Sequence, residues 1–412
     1  MSRLALTNEQ KVLLYLTAKS VAKCDFAPGL DEGALSALDW AKVIRLSKEQ
    51  AVPLCAYEAL GELKRFVPDA AMAVWKKLAM HVALGNMVVA KERRTLHTLM
   101  AGKPYVILKG AAAAAYYPDH KTRVAGDIDF LIQDGAKQEY SEFLQANGYE
   151  MSFGDHANHW VYTKGNAHLE MHFEVPGVPF GRPGEIVREF LNGWQDDLVV
   201  VRNEDGEFCV PDAKRHALIL MLHMQHHMLG DGLGLRHIAD WVTLINATRG
   251  QDFWQDVVDV LGKIGLLEYA RVITAIGVDY LHLTAPDWLG EVDGALVDEV
   301  LQDVFASGNF GASDKDRKDA GIMVSENGKG GTKHGSLYTL AHTLHGAVLR
   351  QYPIVKKVWI LYPFLYVYKA LRFVVLALCG KRPNLVKLAP EAAARRALYK
   401  KLRVFETENK EK

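Results

Sequence analysis

Residues 106–132 read VILKGAAAAAYYPDHKTRVAGDIDFLI, and this stretch decides the fold. The apolar run at 105–108 ends at Lys109 and Gly110, and an alanine-rich segment at 111–117 follows. Glycine favours a turn and alanine favours a helix. The stretch therefore predicts a strand, a turn and a helix in succession. Residues 127–132 alternate polar and apolar side chains, which predicts a second strand.

Two carboxylates stand two positions apart at the start of that second strand, at Asp127 and Asp129. Side chains alternate along a strand, so both project from one face, roughly 6.5 to 7 Å apart at the backbone. Mg²⁺ prefers oxygen ligands, and two Mg²⁺ ions can share such a pair during a phosphoryl-type transfer. Taken alone, the D-x-D spacing is more often a solvated strand end.

The turn upstream strengthens the first interpretation. A strand that ends in Lys109 and Gly110 and opens into a helix presents backbone N–H groups and one cation to nucleotide phosphates. A K-G pair by itself is more often a plain turn. Its combination with Arg123 and with Gly126 beside the carboxylates is much rarer. We therefore predict that Lys109, Gly110, Arg123 and Gly126 bind the nucleotide.

A later strand offers a third carboxylate. Residues 160–163 and 168–175 predict two strands joined by a glycine-containing hairpin turn. Alternation along the second of these strands places four polar side chains on one face, namely His168, Glu170, His172 and Glu174. Glu170 completes a set of three carboxylates if this strand lies beside the D-x-D strand.

These motifs together resemble a known family. L-K-G, Tyr-Pro and R-x-x-G-D-I-D, as they stand in residues 106–132, are similar to motifs of the uncharacterised bacterial nucleotidyltransferases in the DNA polymerase beta-like superfamily. Further similar motifs follow in order: LEMHF at 169–173, GLGLR at 232–236 with Asp240 and Trp241, and GNFG at 308–311.

The resemblance implies a minimal nucleotidyltransferase sheet that uses two Mg²⁺ ions. Asp127, Asp129 and Glu170 match the three carboxylates of the superfamily, which are both metal ligands and catalytic residues. The superfamily's usual Gly-Ser after the first strand is Lys109-Gly110 here, so the assignment of Lys109 to the phosphates rests on its charge alone.

Composition excludes several other classes of protein. The 412 residues contain 49 Lys and Arg against 49 Asp and Glu, so no basic field indicates a nucleic-acid partner. With 49% hydrophobic and 24% charged residues, the chain is too apolar for disorder and too polar for several membrane spans. Four distant cysteines and no apolar signal-peptide core near the start predict a cytoplasmic protein.

Outside the sheet region the chain reads as helical, because apolar residues recur every three or four positions. About four helices are expected in the first hundred residues. We predict an α+β fold, in which a small mixed β-sheet nucleotidyltransferase core is flanked by helical N- and C-terminal regions. The predicted divisions are 1–100 (helical), 101–205 (nucleotidyltransferase core), 206–305 (helical), 306–349 (flexible loop and helix) and 350–412 (basic, partly apolar and helical).

Histidines cluster in the second helical region. His216, His223 and His227 share one helical stripe, and a zinc site is conceivable since histidines at i and i+4 can share a metal. The absence of an HExxH glutamate and of a nearby cysteine argues against zinc. A polar helix face packed on the sheet is favoured. A third interpretation is an acceptor pocket formed by His172, His223, His227 and Arg236.

Arg236 and Asp240 stand at i and i+4, which predicts an ordinary ion pair between them.

The C-terminal part combines apolar and basic residues. Residues 358–380 are long enough to span a bilayer, but Pro363, Lys369 and Arg372 argue against spanning. Residues 350–403 carry 13 Lys and Arg and one acidic residue, a net charge of +12. The favoured interpretation buries Trp359, Phe364 and Phe373 against the fold. The alternative is an interfacial helix at 356–382, in peripheral contact with anionic lipid at the inner face of a membrane.

The sequence thus predicts a metal-dependent nucleotidyltransferase that moves a nucleoside monophosphate from an NTP to an unidentified acceptor. That acceptor is a small molecule, a sugar phosphate or a protein side chain. Mg²⁺ or Mn²⁺ is the expected cofactor. The alternative is a catalytically silent nucleotide-binding or scaffold protein that acts through a protein partner or a membrane surface.

Overall fold

The computed structural model describes residues 6–22, 28–153, 158–313, 363–368, 372 and 394–404. These residues form an α+β fold, as predicted. The labelled helices are α1 (Asn8–Ala22), α2 (Glu32–Ser36), α3 (Trp40–Glu49), α4 (Pro53–Glu58), α5 (Asp69–Leu99), α6 (Ala111–Ala114), α7 (Lys137–Ala146), α8 (Arg182–Leu191), α9 (Ala213–Leu229), α10 (Leu235–Ala247), α11 (Trp254–Lys263), α12 (Leu267–Tyr280) and α13 (Gly294–Ser307).

Seven strands form two sheets within the described residues. The strands are β1 (Val106–Ile107), β2 (Ile128–Leu131), β3 (Glu150–Phe153), β4 (His159–Lys164), β5 (Ala167–His172), β6 (Val199–Asn203) and β7 (Gly206–Val210). The larger sheet has the order β1-β2-β5-β4-β3, and β6 pairs with β7 in a separate hairpin. Strands β2 and β5 are parallel, whereas the other neighbours in both sheets are antiparallel.

The helical N-terminal region contains five α-helices, one more than expected, and the fifth is 31 residues long. Helix α5 belongs to both hydrophobic cores of the protein. Trp75 near its start is fully buried in the helical core and donates a hydrogen bond to the Pro53 carbonyl at 3.0 Å. Leu96 near its end lies in the core beneath the larger sheet, together with Phe130 and Met171. The sheet is therefore fixed against the helical region by one continuous helix.

Two local differences from the sequence prediction have simple causes. The helix expected over 111–117 is a single turn, α6, because the chain must leave helical geometry before Pro118. The β6–β7 hairpin was not predicted. It packs on α5 at Gly206, where a Cβ atom would lie 2.5 Å from side-chain carbons of Arg94. The φ of +102° at Gly206 is a backbone conformation that favours glycine. The turn of the hairpin falls at the expected domain boundary near residue 205.

The two described C-terminal segments differ in how far their apolar side chains are buried. In the segment 394–404, Leu398, Tyr399 and Leu402 are buried in the helical core, and the Tyr399 hydroxyl donates to the Met228 carbonyl at 2.5 Å. In the helical segment 363–368, Phe364 is 72% exposed, so its predicted burial is wrong. Trp359, Phe373 and the predicted loop beyond residue 313 lie outside the described residues.

None of the helices among the described residues is long and apolar enough to cross a membrane.

Candidate active site

The predicted carboxylates meet where β2 and β5 run side by side. The parallel register places Asp129 opposite Glu170. The strand of the third carboxylate therefore lies beside the D-x-D strand, as the prediction requires. Ligand atoms of Asp129, Glu170 and His172 all lie within 4.8 Å of one another. The same holds for Asp127, His168 and Glu170. Glu170 is therefore shared by two adjacent groups of potential ligands, and the three carboxylates belong to one continuous site.

Two donors converge on one oxygen of Asp129. Lys109 Nζ lies 3.0 Å from Asp129 Oδ1, and His172 Nε2 donates to the same oxygen at 3.1 Å. Burial alone would raise the pKa of the Asp129 carboxyl, but Lys109 and His172 outweigh it and hold this pKa well below its usual range. Asp129 is therefore an anion in the folded protein at any pH near neutral.

His172 is held between two carboxylates. Its Nε2 also lies 3.4 Å from Glu170 Oε2. Burial lowers the pKa of the His172 imidazole and Lys109 opposes its charge, but the hydrogen bonds to Asp129 and Glu170 outweigh both, so the pKa is raised above its ordinary value. In the structure His172 therefore contacts the carboxylates that are predicted to hold the metal, and its place in an acceptor pocket stays a prediction.

Asp127 and Asp129 have unlike surroundings, although they are two residues apart. The Asp127 side chain is 53% exposed and that of Asp129 is 6% exposed. Partial burial and the nearby Asp129 and Glu170 charges raise the pKa of Asp127, against the opposing effect of His168 at 3.2 Å. The Asp129 carboxylate is thus buried and held in place, whereas that of Asp127 faces solvent.

The turn at Gly110 brings Lys109 to this site. The Leu108 N–H donates to the Asp129 carbonyl at 2.9 Å, which ties the end of β1 to β2. Gly110 then adopts φ +64°, a conformation that costs glycine little and other residues more. Because α6 is a single turn, the helix N-terminus predicted to bind phosphates is short, and the phosphate-binding prediction depends mainly on the charge of Lys109.

A cleft of about 440 Å³ opens beside the carboxylates. It is bounded by α4, α5, the segment 119–128 and the β6–β7 hairpin. Five of the predicted residues line it, namely Lys109, Gly110, Arg123, Gly126 and Asp127. Asp129 and Glu170 are not among its lining residues, and neither are the four residues assigned to an acceptor pocket, His172, His223, His227 and Arg236.

Arg93 is a buried cation in the wall of this cleft that sequence analysis missed. Its guanidinium stacks 4.2 Å from the centre of the Phe208 ring, and Nη2 reaches the Asp205 carbonyl at 3.4 Å. Its Nε has no hydrogen-bond partner, and no carboxylate of the described residues forms an ion pair with it. Since buried charges are normally paired, this guanidinium is suited to an anionic group in the cleft.

Arg236 does not have the ion-pair partner that the sequence predicted. Asp240 does not pair with Arg236; it accepts two hydrogen bonds from Arg123, at 2.7 and 2.6 Å, and one from the Tyr117 hydroxyl at 2.7 Å. Arg123 Nη1 donates to the Val124 carbonyl, as does Arg236 Nη1. Three of the five N–H groups of Arg123 are engaged in this way. Arg123 therefore holds the segment before Asp127, and its predicted contact with nucleotide stays a prediction.

Asn86 of α5 holds the same segment from the other side. Its Nδ2 donates to the carbonyls of Lys121 and Arg123 at 2.8 and 2.9 Å, and its Oδ1 accepts from the Ala125 N–H at 2.8 Å. The sequence offers no indication of this role, since Asn86 is an ordinary polar residue in a helical pattern.

The histidines of the second helical region separate into two environments. His216 contacts the Leu108 carbonyl at 3.2 Å and the Tyr116 hydroxyl at 3.1 Å. Burial lowers the pKa of His216 to about 4. His223 and His227 instead meet His237 of α10, which the stripe on α9 could not reveal. Burial, reinforced by nearby positive charges, lowers the pKa of all three well below the ordinary value.

The chain matches the model of one protein family. A family model described as "Uncharacterised nucleotidyltransferase" matches residues 36–281, which is more than half of the chain and contains every residue of the site. No curated protein and no solved structure matches the chain significantly.

Proposed function

From the premise that this chain belongs to the uncharacterised nucleotidyltransferase family, we propose that it transfers a nucleoside monophosphate from an NTP to an acceptor, with divalent cations held by Asp127, Asp129 and Glu170. The observation that carries the proposal is the position of Glu170, whose carboxylate belongs to both ligand groups of the site.

The donor set fits the proposed cations. Asp127, Asp129 and Glu170 supply carboxylate oxygens, the ligands that Mg²⁺ and Mn²⁺ prefer. When bound, two such ions neutralise the phosphates and align the attacking and leaving oxygens. Lys109 and His172, which contact Asp129 Oδ1, would have to release this oxygen for it to bind such an ion, and both can donate hydrogen bonds to nucleotide phosphates instead.

The protein's own residues then have distinct tasks. Lys109 supplies a positive charge to the phosphates at the rim of the cleft. His172 keeps Asp129 and Glu170 in place. Glu170, which is only partly buried, is placed to take the proton of an attacking hydroxyl. The unpaired guanidinium of Arg93 suits an anionic group on the nucleotide or on the acceptor.

A labelled-transfer experiment tests the proposal. The full chain is incubated with Mg²⁺ or Mn²⁺, each NTP labelled in its α-phosphate, and a metabolite extract or protein acceptors. We expect transfer of label by the native chain and none by Asp129→Asn. Asp134→Asn is the matched control, because Asp134 is an exposed carboxylate whose ion pair is with Lys137.

Thermal unfolding separates binding from catalysis. NTP should raise the melting temperature of the native chain only with Mg²⁺ or Mn²⁺ present, since a ligand that binds the folded state stabilises it. Stabilisation without transfer to any acceptor would favour the catalytically silent alternative. An equal, metal-independent shift in Asp129→Asn would contradict the assignment of the carboxylates.

A further inference from the structure

Three histidines from two helices meet in the interior beside the candidate active site. The ring centres of His223 and His227, on α9, are 4.3 Å apart, and His237, on α10, lies 5.4 and 5.3 Å from them. One ring nitrogen of each histidine lies within 4.8 Å of one ring nitrogen of each of the others. Phe310 covers the group, with its ring centre 4.5 Å from that of His227.

Each of these rings has a buried nitrogen without a hydrogen-bond partner. The atoms are Nδ1 of His223, Nε2 of His227 and Nε2 of His237. His223 is 6% exposed and His237 is 2% exposed. A buried polar atom that lacks a partner costs roughly 1–3 kcal/mol, and three in one place indicate a group that binds among them.

We propose that His223, His227 and His237 bind one transition-metal ion of the zinc class, at a site separate from the carboxylates. Neutral imidazole nitrogens are ligands that Zn²⁺, Ni²⁺ and Cu²⁺ accept readily, whereas Mg²⁺ prefers oxygen. Histidines at i and i+4 of one helix can share such an ion, and His237 adds the third ligand from a second helix. Three protein ligands leave a fourth position for water or another exchangeable donor.

The geometry requires two adjustments on binding. Tetrahedral coordination with Zn–N bonds of about 2.0–2.1 Å brings the nitrogens to about 3.3 Å from one another, so the rings must move closer together. His237 Nδ1 accepts from the Gly234 N–H at 3.3 Å, which leaves the ring proton on Nε2. If Nε2 binds the metal, that proton moves to Nδ1 and the long Gly234 contact opens.

Metal analysis of the full chain tests the site directly. The protein is stripped with a chelator, supplied with Zn²⁺ in the presence of excess Mg²⁺, desalted and analysed by mass spectrometry. We expect about one zinc ion per chain, because Mg²⁺ occupies the carboxylates and leaves the imidazoles. Zn²⁺ should also raise the melting temperature of the stripped chain.

Variants locate the ion. The double substitution His223→Asn with His237→Asn should lose the retained zinc and the thermal shift. His226→Asn is the control, because His226 is an exposed histidine on the same helix. Asp129→Asn should also keep its zinc, so that failure of this proposal and failure of the proposed function are distinguishable.

A second probe does not depend on the folding of a variant. Co²⁺ bound by three imidazoles should give the visible absorption of a low-coordinate ion in the native chain. Native protein that retains no zinc and shows no such absorption would overturn the proposal. Zinc retained equally by the native chain and by a folded double variant would also overturn it.

Discussion

Two basic side chains of the candidate site contact a single oxygen of Asp129, Oδ1. Lys109 and His172 approach this single oxygen at 3.0 and 3.1 Å, and no metal is needed to keep the carboxylate ionised. The carboxylate is therefore ionised without a metal, and Lys109 must divide its charge between Asp129 and the phosphate that the proposed function brings to it. Lys109 is thus the residue whose replacement is most informative.

Lys109→Met should reduce both catalysis and stability. Loss of the charge-assisted contact to Asp129 should cost about 1–3 kcal/mol in the free energy of unfolding. Loss of a positive charge at the phosphates should lower kcat by on the order of 10²-fold. Urea unfolding and steady-state kinetics measure the two effects, with Lys109→Arg as the charge-retaining control. A kcat unchanged in Lys109→Met would remove Lys109 from the nucleotide site.

For single residues, the sequence predicts those positions that strand alternation determines. Asp127, Asp129 and Glu170 fall together because alternation and parallel pairing are regular. The partner of Arg123 could not be predicted, since Asp240 lies 117 residues away and the choice between Arg123 and Arg236 depends on packing between helices. The contact of His237 with His223 and His227 could not be predicted either, because His237 lies on a different helix.

The element that positions the active site is the extended segment before β2. Asn86 holds it by three hydrogen bonds, Arg123 fastens it to α10 through Asp240, and His120 pairs with Asp205 of the β6–β7 turn at 2.9 Å. Three separate elements thus set the path of the chain into Asp127. A shift of about 1 Å in that path would misplace the proposed metal ligands and can cost about 10²-fold in rate.

Asn86→Ala should therefore impair catalysis without touching substrate. We expect kcat to fall by about 10-fold or more and the free energy of unfolding to fall by about 1–3 kcal/mol, because three polar groups lose their partner. Leu84→Ala is the control, since Leu84 is an exposed residue of the same helix. If Asn86→Ala loses stability but keeps its full kcat, the segment does not set the geometry of Asp127.

Elements were predictable where a single pattern dominated. Strands β2, β4 and β5 follow the expected alternation to within a few residues. The β6–β7 hairpin has weak alternation, and its stability depends on contact with α5 at Gly206. The length of α6 depends on Pro118 and on Tyr117, whose hydroxyl is drawn to Asp240.

Across the whole molecule, buried histidines dominate the expected response to acid. Burial lowers the pKa of His216, His223, His227 and His237, while carboxylate contacts raise that of His172. A group with a lowered folded pKa destabilises the fold as pH falls below about 6.5, where the unfolded chain binds its proton first. His172 acts in the opposite direction, contributing stability below about 6.5 that is lost as pH rises through its folded pKa.

Because four histidines have a lowered pKa and one has a raised pKa, we expect a net loss of stability in mild acid. In chelator-treated protein, the free energy of unfolding should fall by several kcal/mol between pH 7.5 and 5, since each unbalanced histidine contributes about 1.4 kcal/mol per pH unit. Urea titrations over this range measure the slope, and His216→Gln should make it shallower. A stability that stays level from pH 7.5 to 5 would show that these histidines are not buried as neutral groups.

The last prediction concerns the surface that the C-terminal part presents. Phe364, Val367 and Tyr368 are 72%, 58% and 50% exposed within a segment of net charge +12 over residues 350–403. Exposed apolar side chains among cations are typical of segments that enter the interface of an anionic membrane. Each cation near such a surface contributes about 1 kcal/mol, an attraction that salt screens.

We therefore expect the full chain to sediment with anionic vesicles at low salt and to dissociate from them as salt rises. It should not bind neutral vesicles. Replacing Phe364, Val367 and Tyr368 by serine should weaken this binding, because the apolar contribution is lost while the charge remains. Serine at Val74 and Leu84, which are exposed apolar residues of α5, is the control for a general change in surface polarity. If native protein stays in solution with anionic vesicles at low salt, the exposed face does not bind lipid, and the basic charge has another counterpart.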